Sequence, residues 1–155
     1  MPRNLELEEL IGVLEQEHVK AASDLAEIRG MLSRREYEGV RSRLTGLDQE
    51  LLQHMLDEEA SVLRVFIQAF GIEGSREAIE VFQEHVDIRE MIVQLAKDLE
   101  ISQLSSDELG SKLDRFMNEH FRKEDDRIFP LAIETKRTLS EKRSKTIPFD
   151  DAARS

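Results

Sequence analysis

The sequence predicts an all-α protein folded as an antiparallel up-down four-helix bundle. Apolar residues recur at spacings of three and four over long stretches, and no convincing run of period-two alternation interrupts them. Only seven glycines and three prolines occur in 155 residues, and 35% of the residues are charged, which is typical of long helices rather than of a sandwich or barrel. This length suits one domain with a single core.

Two of the predicted helices occupy the N-terminal half. The first runs from about Leu5 to Met31, with Asn4 as its N-cap and Gly30 near its end. The second begins near Ser33 and ends around Phe70, and we expect a bend at Gly46. Apolar stripes mark the buried face of both helices: Ile11, Leu14 and Leu25 in the first, and Leu47, Leu51, Val62, Val65 and Phe66 in the second.

The other two helices follow a GIEGS turn. Ser75 is placed to cap the third helix, and Ser105 and Glu108 have the spacing of a capping box at the start of the fourth. The fourth helix is expected to continue to about Lys136, with a local kink at Pro130. Their stripes contain Ala78, Phe82, Ile88, Ile92 and Leu95 in the third helix, and Leu113, Phe116, Met117, Phe121, Ile128 and Leu131 in the fourth.

The short connections between these helices predict the bundle topology, since consecutive helices then lie antiparallel and bury one another's stripes. The bundle is predicted to span residues 1–137. The polar segment 138–155, which contains Pro148, is expected to be loosely ordered.

Charge and cysteine content exclude several classes of function. A formal net charge of -11 argues against nucleic acid or an anionic membrane as a partner, because both require clustered lysines and arginines. The absence of cysteine excludes disulfides, thiolate nucleophiles and cysteine-ligated metal sites. The N-terminal residues have no long apolar core, so neither a secretory signal nor a membrane anchor is predicted, and a cytoplasmic location is the default expectation.

All four histidines of the chain lie on apolar stripes, one in each predicted helix. They should therefore face the bundle axis. Two of the helices add a glutamate four residues later, which is one turn along the same face. The resulting set of inward-facing polar residues is His18, His54, Glu58, His85, His120 and Glu124.

A metal site explains this set better than a structural polar core does. One buried histidine is usually satisfied by a hydrogen bond, and one glutamate beside an apolar stripe can reach solvent. Several such groups at one level of a bundle would instead lose several kcal/mol of solvation each. Imidazole and carboxylate are suitable ligands for iron, manganese or zinc. We therefore predict a metal site, with a metal-free structural bundle as the alternative.

The segments that carry these residues resemble hemerythrin-like HHE cation-binding domains. The matching elements are EH at 17–18, HMLDEE at 54–59, EHVDIRE at 84–90 and HFRKEDDRIFP at 120–130, and the resemblance covers about residues 8–135. In that family two irons lie inside the bundle, held by histidines and bridged by carboxylates. The resemblance implies that His18, His54, His85 and His120 are ligands and that Glu58 and Glu124 are the bridges.

The chain departs from the oxygen-carrying hemerythrins at one informative position. Those proteins have a second histidine one turn after the third-helix histidine, where this chain has Arg89. Arg89 could pair with a bridging glutamate or attract an anion, but we prefer a surface arginine whose guanidinium meets nearby acidic residues. The ligand pattern is closer to the di-iron iron-centre repair proteins, which commonly carry a cysteine-containing N-terminal region. This sequence has no cysteine.

The implied function is that of a non-haem di-iron protein with an oxo or hydroxo bridge. It would bind or sense small molecules such as oxygen, nitric oxide or peroxide, or handle iron. The alternatives are an enzyme that reduces peroxide or nitric oxide, and an iron donor for iron-centre repair. The implied partners are the small-molecule ligand and a redox or iron-acceptor protein. The neighbouring Asp125 and Asp126 are expected to form a solvated face.

Overall fold

A computed structural model describes the backbone of residues 1–154 and the side chains of residues 1–143. Over this range the protein is entirely helical and has no strand. The α-helices are α1 (Leu7–Ser33), α2 (Tyr37–Asp57), α3 (Leu63–Phe70), α4 (Arg76–Ile101), α5 (Ser106–Lys123) and α6 (Phe129–Arg154). These six segments form a four-helix bundle. Helices α2 and α3 are the two halves of the second bundle helix, and α5 and α6 are the two halves of the fourth.

The helices pack as a ring around one axis. Helix α1 packs against α2 and α5, and α4 packs against the same two helices. In the turn between α3 and α4, Gly71 has a φ of 73°, a backbone conformation that glycine adopts without steric cost. The predicted fold class is therefore confirmed.

A single π-helical turn joins the two halves of each broken bundle helix. The first covers Glu58–Val62 and the second covers Glu124–Ile128. In each turn a backbone N–H donates to the carbonyl five residues earlier, from Leu63 to Glu58 and from Phe129 to Glu124. The bend expected at Gly46 does not interrupt the helix, because Gly46 lies within α2. The irregularity expected at Pro130 occurs earlier in the chain, at the second π turn, which ends before Pro130. Proline is not required for such a turn, since the first contains none.

The π turns correct the phase of the apolar stripes. In both broken helices the histidine and the next fully buried aliphatic residue are eight residues apart, as in His54 and Val62 or His120 and Ile128. Eight residues of α-helix overshoot two full turns by roughly 80°. A π turn absorbs about one extra residue, so Val62 and Ile128 return to the buried face.

The predicted caps are only partly correct. Helix α1 is preceded by Glu6 rather than Asn4 at the N-cap position. Ser75 and Ser105 occupy the N-cap positions of α4 and α5, but neither side chain makes a capping hydrogen bond. The Ser75 hydroxyl instead donates to the carbonyl of Gly71. The N–H of Ser105 donates to a carboxylate oxygen of Asp98 at the end of α4, at 3.0 Å.

The last helix is longer than predicted. It continues through Lys136 and includes residues up to Arg154. The end of this helix was predicted from the last residues of its apolar stripe. A polar helix that extends beyond the core has no such stripe, so its end could not be predicted in this way. The segment 138–155 therefore begins within α6. Residue 155 and the side chains of residues 144–154 lie outside the described part of the chain, and the loose ordering of this segment stays a prediction.

The apolar core is divided into two halves. One half, toward the α1–α2 and α4–α5 connections, contains Leu25, Leu47 and Leu95, and the other contains Leu10, Phe66 and Phe129. In each bundle helix, the residues predicted as ligands lie around the point at which the residues of one half are followed by those of the other. The four histidines and two glutamates therefore form a buried polar layer. No helix within residues 1–154 is both long and apolar enough to span a membrane.

Candidate metal centre

The structure brings all six predicted ligands together in the bundle core. Each histidine is contributed by a different bundle helix, and each glutamate begins one of the two π turns. The exposed fraction is 0% for both glutamates and 3–4% for the histidines. The residues are His18 on α1, His54 on α2, His85 on α4, His120 on α5, and Glu58 and Glu124 on the π turns.

These side chains form two overlapping groups that share both carboxylates. One group combines the two glutamates with His18 and His54, and the other combines them with His85 and His120. Within each group, one donor atom from every residue lies within 4.8 Å of all the others. A pair of sites with two shared carboxylates is the arrangement of dinuclear centres in helical bundles.

The glutamates face the histidine Nε2 atoms at short distances. Glu58 directs Oε2 at His54 at 3.2 Å and Oε1 at His85 at 3.1 Å, so its two oxygens serve different groups. Glu124 Oε1 lies 3.1 Å from the Nε2 atoms of both His18 and His120. Among the described residues, none of the four carboxylate oxygens has a partner in hydrogen-bond geometry, and neither has His85 Nε2. Buried polar atoms without partners are rare in native structures.

The two carboxyl groups cannot both ionise easily without a cation. Burial and the negative charge of Glu58 raise the pKa of Glu124 well above its usual range. Burial also opposes ionisation of Glu58, but contacts with Glu124, His54 and His85 hold its pKa well below the usual range. These opposite shifts favour a metal-free pair that retains one proton. A bound cation would replace that proton.

A second layer of carboxylates orients the imidazoles. Each Nδ1 atom forms a hydrogen bond with a carboxylate from the adjacent bundle helix, at 2.7–3.0 Å. Each of these acidic residues is next in sequence to a residue of the buried set. The four pairs form a closed ring around the bundle: Glu17 with His54, Glu59 with His85, Glu84 with His120, and Asp125 with His18.

This ring determines which nitrogen of each histidine can bind a metal. An ionised carboxylate only accepts hydrogen bonds, so each Nδ1 carries the proton. The lone pair of the neutral imidazole then lies on Nε2, which faces the bundle interior. Burial, with repulsion from His54, lowers the pKa of His18 to about 3, so His18 is neutral at pH 7. Such Nδ1–H to carboxylate contacts are usual for metal-binding histidines.

Two of the four carboxylates in this ring are also bound by cations. Arg3 Nη2 donates to Glu17 at 2.9 Å, and Lys123 Nζ donates to Glu84 at 3.0 Å. Burial opposes ionisation of both glutamates, but the hydrogen bonds from His54 and Arg3 to Glu17, and from His120 and Lys123 to Glu84, lower the pKa of each below its usual value. Each histidine pair thus includes one imidazole whose carboxylate partner is neutralised by a nearby cation.

The structure corrects the sequence prediction at Asp125. Only Asp126 is on a solvated face, whereas Asp125 accepts from His18 at 2.8 Å and is partly buried. Burial and the nearby charge of Glu15 raise the pKa of Asp125 to about 6. The sequence carried one signal for the partly buried position of Asp125, which is that it follows Glu124. A residue next to an inward-facing residue can point toward the adjacent helix.

Arg89 lies outside the centre. Although it is one turn after His85, its side chain is exposed, while Ile88 and Ile92 face the core. Its exposure agrees with the preferred surface position, but Arg89 forms no ion pair with a bridging glutamate or with any other described acidic residue.

Residues 9–132 match the hemerythrin HHE cation-binding domain family. The chain belongs to this family. The match covers all six buried residues and the four carboxylates of the outer ring. The chain matches no curated protein sequence and no solved structure.

Membership of the hemerythrin HHE family, together with the buried His/Glu groups, indicates a metal-binding protein. The side chains present fit a metal, because the unpartnered carboxylate oxygens and the Nε2 atom of His85 converge on the same space. Nitrogen and oxygen donors without sulfur suit iron, and also zinc or manganese.

Proposed function

We propose that this hemerythrin-family domain holds two iron ions in a non-haem centre and binds or senses small molecules there, such as oxygen, nitric oxide or peroxide. The supporting observation is the pair of four-residue groups that share Glu58 and Glu124. His18 and His54 would hold one ion, and His85 and His120 the other. The two glutamates would bridge them.

The protein supplies fewer donors than iron commonly accepts. Each ion would receive two imidazole nitrogens and carboxylate oxygens from the shared glutamates, and Arg89 is too exposed to add a ligand. When bound, the ions would supply redox activity and open coordination positions for a small molecule or a bridging oxo or hydroxo group.

The protein residues hold the protons and surround the centre with apolar side chains. The four outer carboxylates retain the Nδ1 protons and keep the Nε2 lone pairs directed inward. The apolar halves of the core enclose the centre on both sides. This enclosure disfavours the iron-donor alternative, because release would require the buried histidines and glutamates to separate.

Metal analysis and spectroscopy test this function directly. The protein should be reconstituted anaerobically with iron, zinc or manganese, and the bound metal should be measured by elemental analysis. A dinuclear carboxylate site is expected to hold about two irons per chain. In the diferric protein, azide should produce a new charge-transfer absorption. The absence of tightly bound metal would favour the structural bundle instead.

A turnover assay separates binding from catalysis. A binding or sensing protein should ligate nitric oxide or peroxide without consuming it when an external reductant is present. Sustained consumption would support the enzyme alternative at the same centre. The variants His54→Ala and Glu124→Ala should reduce the iron content in either case, whereas Asp126→Ala should not, because Asp126 is exposed and belongs to neither group.

A further inference from the structure

A cavity of about 310 Å³ lies beside the candidate metal centre, and of the six residues of the centre His54 lines it. Its outer end is bounded by Lys20 on α1 and Glu50 on α2, whose side chains are exposed. Its inner end is bounded by His54 and Phe121, both of which are buried. Glu17 and Gln53 also line the cavity.

The inner part of the cavity is mostly apolar. Ala21, Leu47, Leu51 and Phe121 line it, and the Phe121 ring stacks on His18 with the ring centroids 4.3 Å apart. A molecule at this end would contact His54 directly and would be separated from His18 by one ring. Such a wall favours uncharged molecules, because its apolar side chains do not compensate the lost solvation of an ion and the nearby Glu17 carboxylate is already bound by His54 and Arg3.

An ion pair lies at the outer end. Lys20 Nζ donates to both carboxylate oxygens of Glu50, at 2.8 Å and 2.7 Å. A second cavity of about 390 Å³ is also lined by Lys20, Leu47 and Glu50, so this pair is next to both spaces. Exposed ion pairs contribute little stability and separate readily.

We propose that this cavity is the route by which small uncharged molecules reach the metal centre, with the Lys20–Glu50 ion pair across its outer opening. This inference rests on the proposed function and adds the side from which a small molecule reaches the metal centre. Molecules reach the half of the centre formed by His18 and His54 before the half formed by His85 and His120.

A comparable cavity provides a matched control. It has a volume of about 300 Å³, lies between α2 and α4, and is lined in part by Leu44, Ala96 and Leu99. None of the six residues of the candidate centre lines it. A phenylalanine at Ala96 therefore tests the general effect of filling a cavity, whereas a phenylalanine at Ala21 obstructs the proposed route.

The kinetic experiment uses nitric oxide and the iron-loaded protein in its diferrous state. Stopped-flow absorption gives the association rate constant for the unmodified protein, Ala21→Phe and Ala96→Phe at equal iron content. Ala21→Phe should lower the rate constant at least tenfold, and Ala96→Phe should change it less than twofold. Lys20→Met should increase it, because the ion pair at the outer opening is removed. If Ala21→Phe does not retain iron, Leu51→Trp obstructs the same route from α2.

A metal-independent measurement uses xenon and the metal-free protein. Xenon should shift the methyl NMR signals of Ala21 and Leu51, and Ala21→Phe should abolish the shift at Leu51. Equal nitric oxide association rates in the unmodified protein and an iron-loaded blocking variant would overturn the access route and leave the proposed function intact. If no iron-loaded protein binds nitric oxide or azide, the proposed function fails, and the access route fails with it.

Discussion

Arg3 holds the buried carboxylate of Asp57 at two points. The backbone N–H of Arg3 donates to Asp57 Oδ1 at 2.7 Å, and Arg3 Nε donates to Oδ2 at 2.6 Å. The side chain of Asp57 is 0% exposed, whereas that of Arg3 is 35% exposed. Because Arg3 also binds Glu17, the partner of His54, one arginine before the first helix supports two acidic residues beside the metal centre.

We predict that Arg3→Ala destabilises the protein. Loss of one member of a buried ion pair typically costs about 3–5 kcal/mol, and the partial exposure of Arg3 reduces our expectation to about 2–3 kcal/mol. Urea denaturation of the metal-free protein measures this change. Arg34→Ala is the control, since Arg34 pairs with Glu36 at the surface, and it should change the stability much less than Arg3→Ala does. Equal losses in the two variants would contradict the assigned role of Arg3.

The adjacent Asp125 and Asp126 provide a test of the outer carboxylate ring. Asp125→Asn should weaken metal binding by about 10- to 100-fold, because an amide holds the His18 Nδ1 proton less strongly than a carboxylate does. Asp126→Asn should leave the affinity unchanged, since Asp126 is exposed. Competition with a chromophoric chelator measures both affinities. An equal effect of the two substitutions would show that general charge, rather than the contact with His18, controls binding.

Deletion of Ala60 tests the first π turn. The shortened segment can form a regular α-helix that keeps Val62, then seven residues after His54, on the buried face, so a loss of metal would report on how the π turn places Glu58. We expect the helix content measured by circular dichroism to remain nearly unchanged and the metal content to fall. Ser61→Ala, which preserves the chain length, should retain the metal. Full metal occupancy after the deletion would show that the π turn is not required to place Glu58.

The pH dependence of metal binding follows from His54 and His85. Burial lowers the pKa of each, but facing carboxylates raise it from 6.5 to about 9 in the metal-free fold. This raised pKa stabilises the fold fully below pH 6.5, and the contribution is lost as the pH rises through about 9. A metal must displace these protons, so its affinity should rise over the same window.

Titration calorimetry in buffers of different ionisation enthalpy measures the proton release. The number of protons released at His54 and His85 should decrease as the pH approaches 9. The apparent metal affinity should increase until that point. A constant affinity and no proton release between pH 6.5 and 9 would rule out protonated His54 and His85 as the competing groups.

Arg89→His should not create a fifth histidine ligand. Helix α4 is regular after His85, so position 89 remains at the surface. The azide absorption of the diferric protein and the air-oxidation rate of the diferrous protein should therefore match those of the unmodified protein within about twofold. A longer-lived oxygen adduct in Arg89→His would show that this position reaches the centre.

Periodicity along the chain was enough to predict the fold class and the six residues that converge in the core. Long apolar stripes require burial, and each stripe carried one histidine, so bundle formation necessarily brought the histidines to the axis. The glutamates at Glu58 and Glu124 follow from helical spacing alone. These features depend on local periodicity, which can be recognised without knowing which helices are neighbours.

The contacts between helices and the phase of the broken helices depend on how the helices pack together. Asp125 and Arg3 act on residues far away in sequence, and the position of Asp125 next to Glu124 does not by itself name His18 as its partner. The π turns and the cavity at Lys20 likewise depend on packing, because they arise where two apolar halves of the core must fit around a polar layer. Side chains next to the core reveal their partners only when the adjacent helix is in place.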